Sequence, residues 1–466
     1  MKYFSTRQNS PKLNFIDTVL QGLATDGGLY LPENIPTFSS EEINEMKNMP
    51  YQLLAFKIMK KFIDGEIPDQ DLENLIEKSY KTFSDKAVTP IKKLNNNQYL
   101  LELFHGPTFA FKDLALQFLG NVLQYILERK HEKIVIIGAT SGDTGSAAIC
   151  GCKSCKNADI FILHPHNLVS DIQRKQMTTV NEKNVFNIAL EGNFDDCQSI
   201  VKKMFRDQSF LKGRRMVAVN SINWVRIMAQ IVYYFYAYFQ VENGKKHISF
   251  SVPTGNFGDI YAGFLAKKMG LNINKLIIAT NKNDILARFI NQNDYSKSGM
   301  IETISPSMNI QVSSNFERML FNFYQEAGQG YKVRELMEEF EQTGKLSVSL
   351  EILNKIQETF VAYSSDDSQT CQKIKEVFTN TQEILDPHTA IGIDAIDQHQ
   401  AKADQDDIFI NLATAHPAKF PKAITKAGIS SLQNPITFDK IMTREEIFSI
   451  QKNNIDEVKK FVNKNI

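Results

Sequence analysis

Five short runs rich in β-branched residues, at 133–137, 160–163, 248–252, 276–278 and 408–412, punctuate a chain whose intervening segments mostly carry apolar residues at helical spacing. Strands that alternate with helices predict parallel sheets covered on both faces, because a parallel pair needs a long crossover and the crossover helix lies over the sheet. In such sheets ligands collect where strand ends meet loops and helix starts. The first ninety-odd residues depart from this alternation. Ser39 and Glu42 have capping-box spacing and open a helix over 41–47, and apolar residues recur at helical intervals over 51–63 and 71–83. A polar stretch, 92–98, reads as the loop before the next lobe. Residues 294–404 are more charged and less strand-like and read as a helical insertion; the last forty residues read as helical too.

Length and composition narrow the function classes. At roughly 150 residues per domain, 466 residues predict two or three lobes, enough to bury a core without disulfides or metal. Fifty-three basic residues balance fifty-three acidic ones, which argues against a broad nucleic-acid footprint or a polybasic membrane arm. Residues 1–30 lack the basic start and apolar run of a secretory signal. The most apolar helical stretch, 227–239, is interrupted by Gln230 and falls short of the ~20 residues of a bilayer span. Five cysteines cannot all pair, which favours a reducing compartment. Cys150, Cys152 and Cys155 cluster upstream of His164 and His166, but their spacing does not suit a zinc site, and they read as partly buried thiols. A cytoplasmic protein with no metal is expected.

Two loops are built for anions. Residues 134–138 lead as a strand into Thr140-Ser-Gly-Asp-Thr-Gly145 and then a helix start; residues 251–259, Ser-Val-Pro-Thr-Gly-Asn-Phe-Gly-Asp, repeat the arrangement. Free N–H groups at a helix N-terminus, with hydroxyls beside them, hold a carboxylate or phosphate. Neither loop is a nucleotide motif: no lysine follows the glycines, and the spacing of Gly138, Gly142 and Gly145 is not GxGxxG. A capped strand-to-helix turn accounts for one such loop alone. Two in one sheet point to a ligand with two anionic groups. Lys112, between Phe109-Ala-Phe111 and Leu114-Ala-Leu116, is an amine in apolar company. Burial favours its neutral form, which attacks an aldehyde to form an imine; the alternative is a lysine that reaches out to water. An imine-forming lysine beside two anion loops suits pyridoxal phosphate, an aldehyde and a phosphate on one ring.

FHGPTFAFKD at 104–113, TSGDTG at 140–145, VPTGNFGD at 252–259 and TAHPAKF at 414–420 resemble the motifs of the threonine synthase family, in its long bacterial and fungal form; GLATDGGLYLP at 22–32 and NSINWVR at 220–226 match as well. The likeness runs in the family's order to about residue 430. It implies the α/β pyridoxal-phosphate fold type II shared with tryptophan synthase β: parallel-sheet lobes covered by helices, plus a helical N-terminal region. The organisation expected is an N-terminal helical domain over 1–95, a catalytic pyridoxal-phosphate domain of two lobes over 96–430 carrying the insertion at 294–404, and a helical segment over 431–466. The activity implied is conversion of O-phospho-L-homoserine and water into L-threonine and phosphate by a monomeric enzyme with pyridoxal 5′-phosphate as cofactor.

Matched residue by residue, Lys112 resembles the Schiff-base lysine. Gly255, Asn256, Phe257, Gly258 and Asp259 fall where the family binds cofactor, with the glycine loop cradling its phosphate, and Thr414 matches the hydroxyl that meets the pyridine nitrogen. Ser141 and Thr144 are candidates for the substrate carboxylate or phosphate, and Ser221, Asn223 and Arg226 resemble the group that recognises substrate phosphate, which a guanidinium fork suits. His416 and Lys419 are candidates for lining the site, with a structural role open for each. Where the family carries Pro-x-Gly-Arg-x-Ser-Pro, this chain has Pro165-His-Asn-Leu-Val-Ser-Asp171, and Ala413 replaces a glycine; with the cofactor motifs intact, both read as local drift. The rival readings are a related lyase that releases 2-oxobutanoate from the same substrate, a catalytically silent binding protein, and a nucleotide-binding oxidoreductase, the last disfavoured by the missing fingerprint.

Overall fold

The computed structural model describes residues 1–242, 247–402, 407–430 and 432–466. The N-terminal region is sewn shut by a two-stranded antiparallel pair, Tyr3–Ser5 with Tyr30–Pro32, around helices Phe15–Gln21, Ser40–Met46, Tyr51–Ile63 and Asp69–Tyr80. Ser39 and Glu42 exchange the reciprocal bonds their spacing predicts, each side chain accepting from the other's backbone N–H.

Two parallel sheets follow, as the alternation of strands and helices requires. The larger has six strands in the order Phe360–Ser364, Ile273–Thr280, Ile248–Pro253, Ile408–Ala413, Gln98–Glu102 and Ile91–Lys93, with only the last pair antiparallel. The smaller has five, all parallel, in the order Ser449–Lys452, Val185–Glu191, Ala158–Pro165, Ile134–Ala139 and Arg215–Val217. All five β-branched runs are central strands of these sheets. Most strands without a sequence signal are short or lie at edges, where pairing, not composition, fixes the conformation; Val185–Glu191, an interior strand of seven residues, is the exception.

Three stretches differ from expectation. Residues 92–98, read as a loop, include part of an antiparallel hairpin, because Ile91–Lys93 pairs with Gln98–Glu102. The charged stretch 294–404 is largely helical, yet Phe360–Ser364 forms the edge of the six-stranded sheet and helix Pro387–Gln400 packs on its strands; residues 403–404 lie outside the described residues. The tail is not wholly helical either: Ser449–Lys452 joins the five-stranded sheet, and helix Ile455–Asn465 seals that lobe with Val458 and Val462. These strands are four or five residues long and partly exposed, too short to stand out in a reading by composition.

Two helices form the spine between the lobes. Trp224–Val241 is apolar on nearly every side and almost wholly buried. No helix among the described residues is long and apolar enough to cross a membrane. Lys112–Lys130 packs against Asp143–Cys152 through a contact only glycines permit: a Cβ on Gly120 would lie 1.9 Å from the Gly151 carbonyl oxygen. That close crossing carries the start of each helix, Lys112 and Asp143, to the cleft between the sheets.

Candidate active site

Lys112 opens its helix at the end of a loop pinned to the chain beyond strand Ile408–Ala413. The Phe111 N–H donates to the Thr414 carbonyl at 2.8 Å, Ala110 bridges Ala415, and Phe109 turns the loop with φ of 60°. These bonds bring Lys112 and Thr414 together from positions 302 apart in sequence. The Lys112 ammonium lies 4.4 Å from the centroid of the Phe111 ring and 3.8 Å from Asp143 Oδ2, with 12% of the side chain still open. Burial pulls its pKa down to about 8; Asp143 opposes the shift, while the cations Arg226 and Lys419 reinforce it. The amine is therefore poised between its two protonation states near neutral pH.

Asp143 is the charge the motif reading passed over, although it is the one acidic residue of Thr140–Gly145. Burial alone would raise its pKa, but Lys419 and Lys112 outweigh it and hold the carboxylate well below the usual range. Its Oδ1 accepts from Lys419 Nζ at 2.9 Å and Gln173 Nε2 at 2.8 Å, and its Oδ2 from Ser307 Oγ at 3.2 Å. Lys419, with no exposed surface, also donates to the Thr108 carbonyl at 2.7 Å. Thr108 in turn donates through both N–H and Oγ1 to Asp113 at 2.7 Å. Thr140 Oγ1 accepts from the N–H groups of Gly142 and Gly145 at 2.9 Å each, so the loop is shaped by Thr140 and leaves Ser141 and Thr144 half-buried at the helix start. His416 has a structural place: its Nδ1 accepts from the Ala418 N–H, its ring packs edge-on to Phe104 and Phe109, and burial pushes its pKa down to about 4.

The second loop turns on Phe257, whose φ is 62°. Its ring lies in the core against Phe316 and Phe360, which leaves its main chain to face the loop. Gly258 starts the helix that runs to Lys268, which leaves the first-turn N–H groups without intrahelical partners. A Cβ on Gly255 would sit 2.8 Å from Ile310 Cδ1 and 3.0 Å from the Ser307 carbonyl oxygen, so only a glycine lets this loop pack so closely on the segment 307–310. Ser313 Oγ donates to the Gly255 carbonyl at 2.7 Å, and Ser314 Oγ to Asn256 Oδ1 at 3.0 Å. Asp259 is buried. Its Oδ1 accepts from the hydroxyls of Tyr233 and Tyr234, its Oδ2 has no partner, and burial pushes its pKa up to about 6.

In the segment 220–226 the three candidates part company. The Asn223 amide is occupied by main chain: Oδ1 accepts from Val225 N–H at 3.2 Å, and Nδ2 donates to the carbonyls of Val19 and Ala218. It caps helix Trp224–Val241. Ser221 is half-buried just before the cap. Arg226, 3% exposed, has a single 3.5 Å bond from Nη1 to the Val219 carbonyl, none from Nε, and no carboxylate partner among the described residues. A buried guanidinium with neither a counter-ion nor full hydrogen bonding is unstable as it stands, and an anionic ligand relieves it.

The altered stretch after strand Ala158–Pro165 keeps its backbone requirements. Asn167, in place of glycine, has φ of 59°, which asparagine tolerates better than most side chains. Asp171, in place of proline, is the first residue of the helix that runs to Thr178, behind a Ser170 cap; a carboxylate there suits the helix dipole. Leu168, in place of arginine, is 68% exposed.

Residues 2–80 match the family described as threonine synthase N terminus, 85–348 match pyridoxal-phosphate dependent enzymes, and 389–462 match the threonine synthase C-terminal family. A threonine synthase from Pseudomonas aeruginosa is 51% identical over 463 residues, 99% of this chain and 98% of its own. The chain belongs to the threonine synthase family. Among solved structures, the PLP-bound threonine synthase of Brucella melitensis superposes with a TM-score of 0.95 at 44% identity, over 100% of this chain and 99% of that one. Yeast threonine synthase gives 0.94 at 42%, over 100% and 98%. The fold is type II of the pyridoxal-phosphate enzymes, and the chain is a threonine synthase, a lyase of threonine biosynthesis that uses pyridoxal 5′-phosphate. The residues fit that cofactor on their own terms: a Lys112 amine whose pKa is pulled down to about 8, free N–H groups at the helix start at Gly258, and unpaired polar atoms on Arg226 and Asp259.

Proposed function

We propose that this enzyme turns O-phospho-L-homoserine and water into L-threonine and phosphate in the cytoplasm, as a monomer, with Lys112 as the proton carrier and Arg226 as the anchor for substrate phosphate. The observation that carries this reading is Arg226, a buried cation with no carboxylate partner among the described residues, close enough to Lys112 to lower its pKa. We assign the chain's working parts as an N-terminal domain over 1–95, a catalytic region over 96–430 and a closing segment over 431–466.

Pyridoxal 5′-phosphate, when bound, supplies an aldehyde for the substrate amine and a ring that spreads the charge left at the α-carbon. Lys112 is positioned to hold the aldehyde carbon, and its freed Nζ takes the α-proton. The Asp143 carboxylate, 3.8 Å away, steadies the ammonium that results. The first-turn N–H groups of Gly258 and Asp259, with the main chain of Gly255, Asn256 and Phe257, hold the cofactor phosphate. The Thr414 hydroxyl would meet the pyridine nitrogen; unlike a carboxylate, it would not favour a protonated ring. The Asp143–Cys152 helix start, with the hydroxyls of Ser141 and Thr144, takes the substrate carboxylate, leaving Arg226 and Ser221 for its phosphate. Arg226 suits a leaving phosphate because its charge is matched only when the dianion is present. For phosphate to leave the γ-carbon a β-proton would also be lost; a proton would replace phosphate at the γ-carbon, water would add at the β-carbon, and Nζ would return its proton to the α-carbon.

Incubation with O-phosphohomoserine, with phosphate and threonine scored in parallel, tests the reading. Equal release of both is the expected result. Phosphate with 2-oxobutanoate and no threonine overturns it in favour of the related lyase, and no turnover by yellow holoprotein favours a binding role.

A further inference from the structure

We propose that Arg318 is a positioning residue that locks the segment binding substrate phosphate to the loop binding cofactor phosphate, so that the two anion sites are set by one buried fork; the inference rests on the site assignments above. Arg318 starts no recognisable motif and lies in the charged stretch that composition reads as an insertion. Its side chain has no exposed surface. Nη2 donates to the Ile222 carbonyl at 2.7 Å, between Ser221 and Asn223. Nε and Nη2 donate to the Tyr30 carbonyl at 3.2 and 2.9 Å, within the Gly22–Pro32 motif of the N-terminal region. Nη1 donates to Asn315 Oδ1. Asn315 completes the link: its own N–H and its Nδ2 both donate to the Asn256 carbonyl, at 3.0 and 2.9 Å.

One guanidinium thus ties together three segments whose motifs are far apart in sequence. Its geometry suits the task. The fork is planar and rigid, so fixing one carbonyl fixes the direction of the others, which a lysine on a flexible stem cannot do. Its charge meets carbonyl dipoles and the face of the one tryptophan, Trp224, 5.9 Å from the ring centroid. A buried cation held by dipoles rather than by a salt bridge is costly, and burial pulls its pKa down to about 10. Simple packing would be served by an apolar side chain of similar size. The arrangement gains if the dipoles it orients are those that flank two anion sites: two donors on Asn315 occupy the Asn256 carbonyl, and the N–H groups that open the next helix at Gly258 remain as the free polar groups of that loop.

The test uses full-length holoenzyme and its apoprotein. Arg318→Lys keeps the charge and loses the fork; Asn315→Asp keeps an acceptor for Arg318 and removes the Nδ2 donor to the Asn256 carbonyl, leaving only the main-chain N–H bond. Affinity for pyridoxal phosphate is compared with that for pyridoxal, which lacks the phosphate, and KM for O-phosphohomoserine with kcat. Arg318→Lys is expected to weaken pyridoxal phosphate at least tenfold more than pyridoxal, and to raise KM more than it lowers kcat. Asn315→Asp is expected to give the cofactor effect with a smaller change in KM. Equal loss of both cofactor forms, or a folded Arg318→Lys protein with neither change, overturns the inference. If Arg318→Lys does not fold, Asn315→Asp alone decides, through the same pair of cofactor affinities. Two controls separate the underlying reading: Gly255→Val should spoil pyridoxal phosphate selectively, and Arg226→Gln should raise KM. If these hold and the Arg318 and Asn315 variants do nothing, only the locking role falls; if they fail, the site assignment falls and the inference with it.

Discussion

Lys419 Nζ and Asp143 Oδ1 meet at 2.9 Å across the cleft, the lysine brought by the chain beyond the six-stranded sheet and the aspartate by a loop of the five-stranded one. The other Asp143 oxygen faces Lys112. One carboxylate therefore neutralises a wholly buried ammonium and acts on the reactive amine, and removal of either partner of the pair shifts that amine in opposite directions.

Asp143→Asn leaves Lys112 near Lys419 and Arg226 without a counter-charge, so its pKa falls below about 8 and the pH midpoint for capture of pyridoxal phosphate by apoprotein moves down. Lys419→Met frees the Asp143 charge to act on Lys112, and the midpoint moves up. Asp143→Asn also strands the buried Lys419 charge, at a cost of about 3–5 kcal/mol read as a lower urea midpoint. Shifts of the same sign in both variants would contradict this account.

Lys112→Ala is expected to lose the visible absorbance of bound cofactor and to lower kcat by ~10²–10⁴-fold or more, the range for removal of a general base. Turnover retained at the native level would refute the role of Lys112.

Arg226→Met removes a buried, uncompensated cation. Substrate KM is expected to rise about 10- to 100-fold, the worth of one or two charge-assisted bonds, while the thermal midpoint of ligand-free protein stays level or rises. A large drop in the midpoint would mean that Arg226 serves the fold.

Asp259 has a folded-state pKa of about 6, above the ordinary carboxylate value of about 4. Its protonated form is favoured by folding, so the stability it contributes is complete below pH 4 and is lost as pH rises through 6. Asp259→Asn lacks this loss. The urea midpoint of the variant should gain on that of the native protein between pH 4 and 6, by at most ~3 kcal/mol for a shift of two units, and then run parallel to it. A difference that is flat across this window would show Asp259 to be ionised throughout.

Leu168→Arg restores the residue usual in the family at a position 68% exposed. Surface substitutions of this kind stay within about 0.5 kcal/mol, and kcat/KM should change less than threefold. A larger gain would show that the lost arginine had reached the substrate.

Sequence was most telling where local chemistry is self-contained. The helix over Tyr51–Ile63 and the Ser39–Glu42 box follow from periodicity and spacing alone, and each β-branched run became a central strand because burial on both faces demands an unbroken apolar segment. It was least telling for Phe360–Ser364 and Ser449–Lys452, edge strands whose outward residues are exposed or half-exposed; only a partner strand decides their conformation. Among the site residues, Lys112 and Arg226 announced themselves by motif. Asp143 stood in plain view but acquires its meaning only from Lys419, 276 positions away. Gln173 and Ser307 carry no local signal at all.

The chain by itself determined the alternation of strand and helix, the two glycine-bearing turns, the apolar setting of Lys112 and the family. Tertiary structure decided which charges face one another: that Asp143 sits between two lysines, that Asn223 is used up as a cap, that Arg226 lacks a carboxylate and that Arg318 reaches three carbonyls. The physical reason is range. Propensity and capping act over a few residues and can be read along the chain, whereas desolvation and Coulomb terms depend on distances in space, which exist only once distant segments have packed.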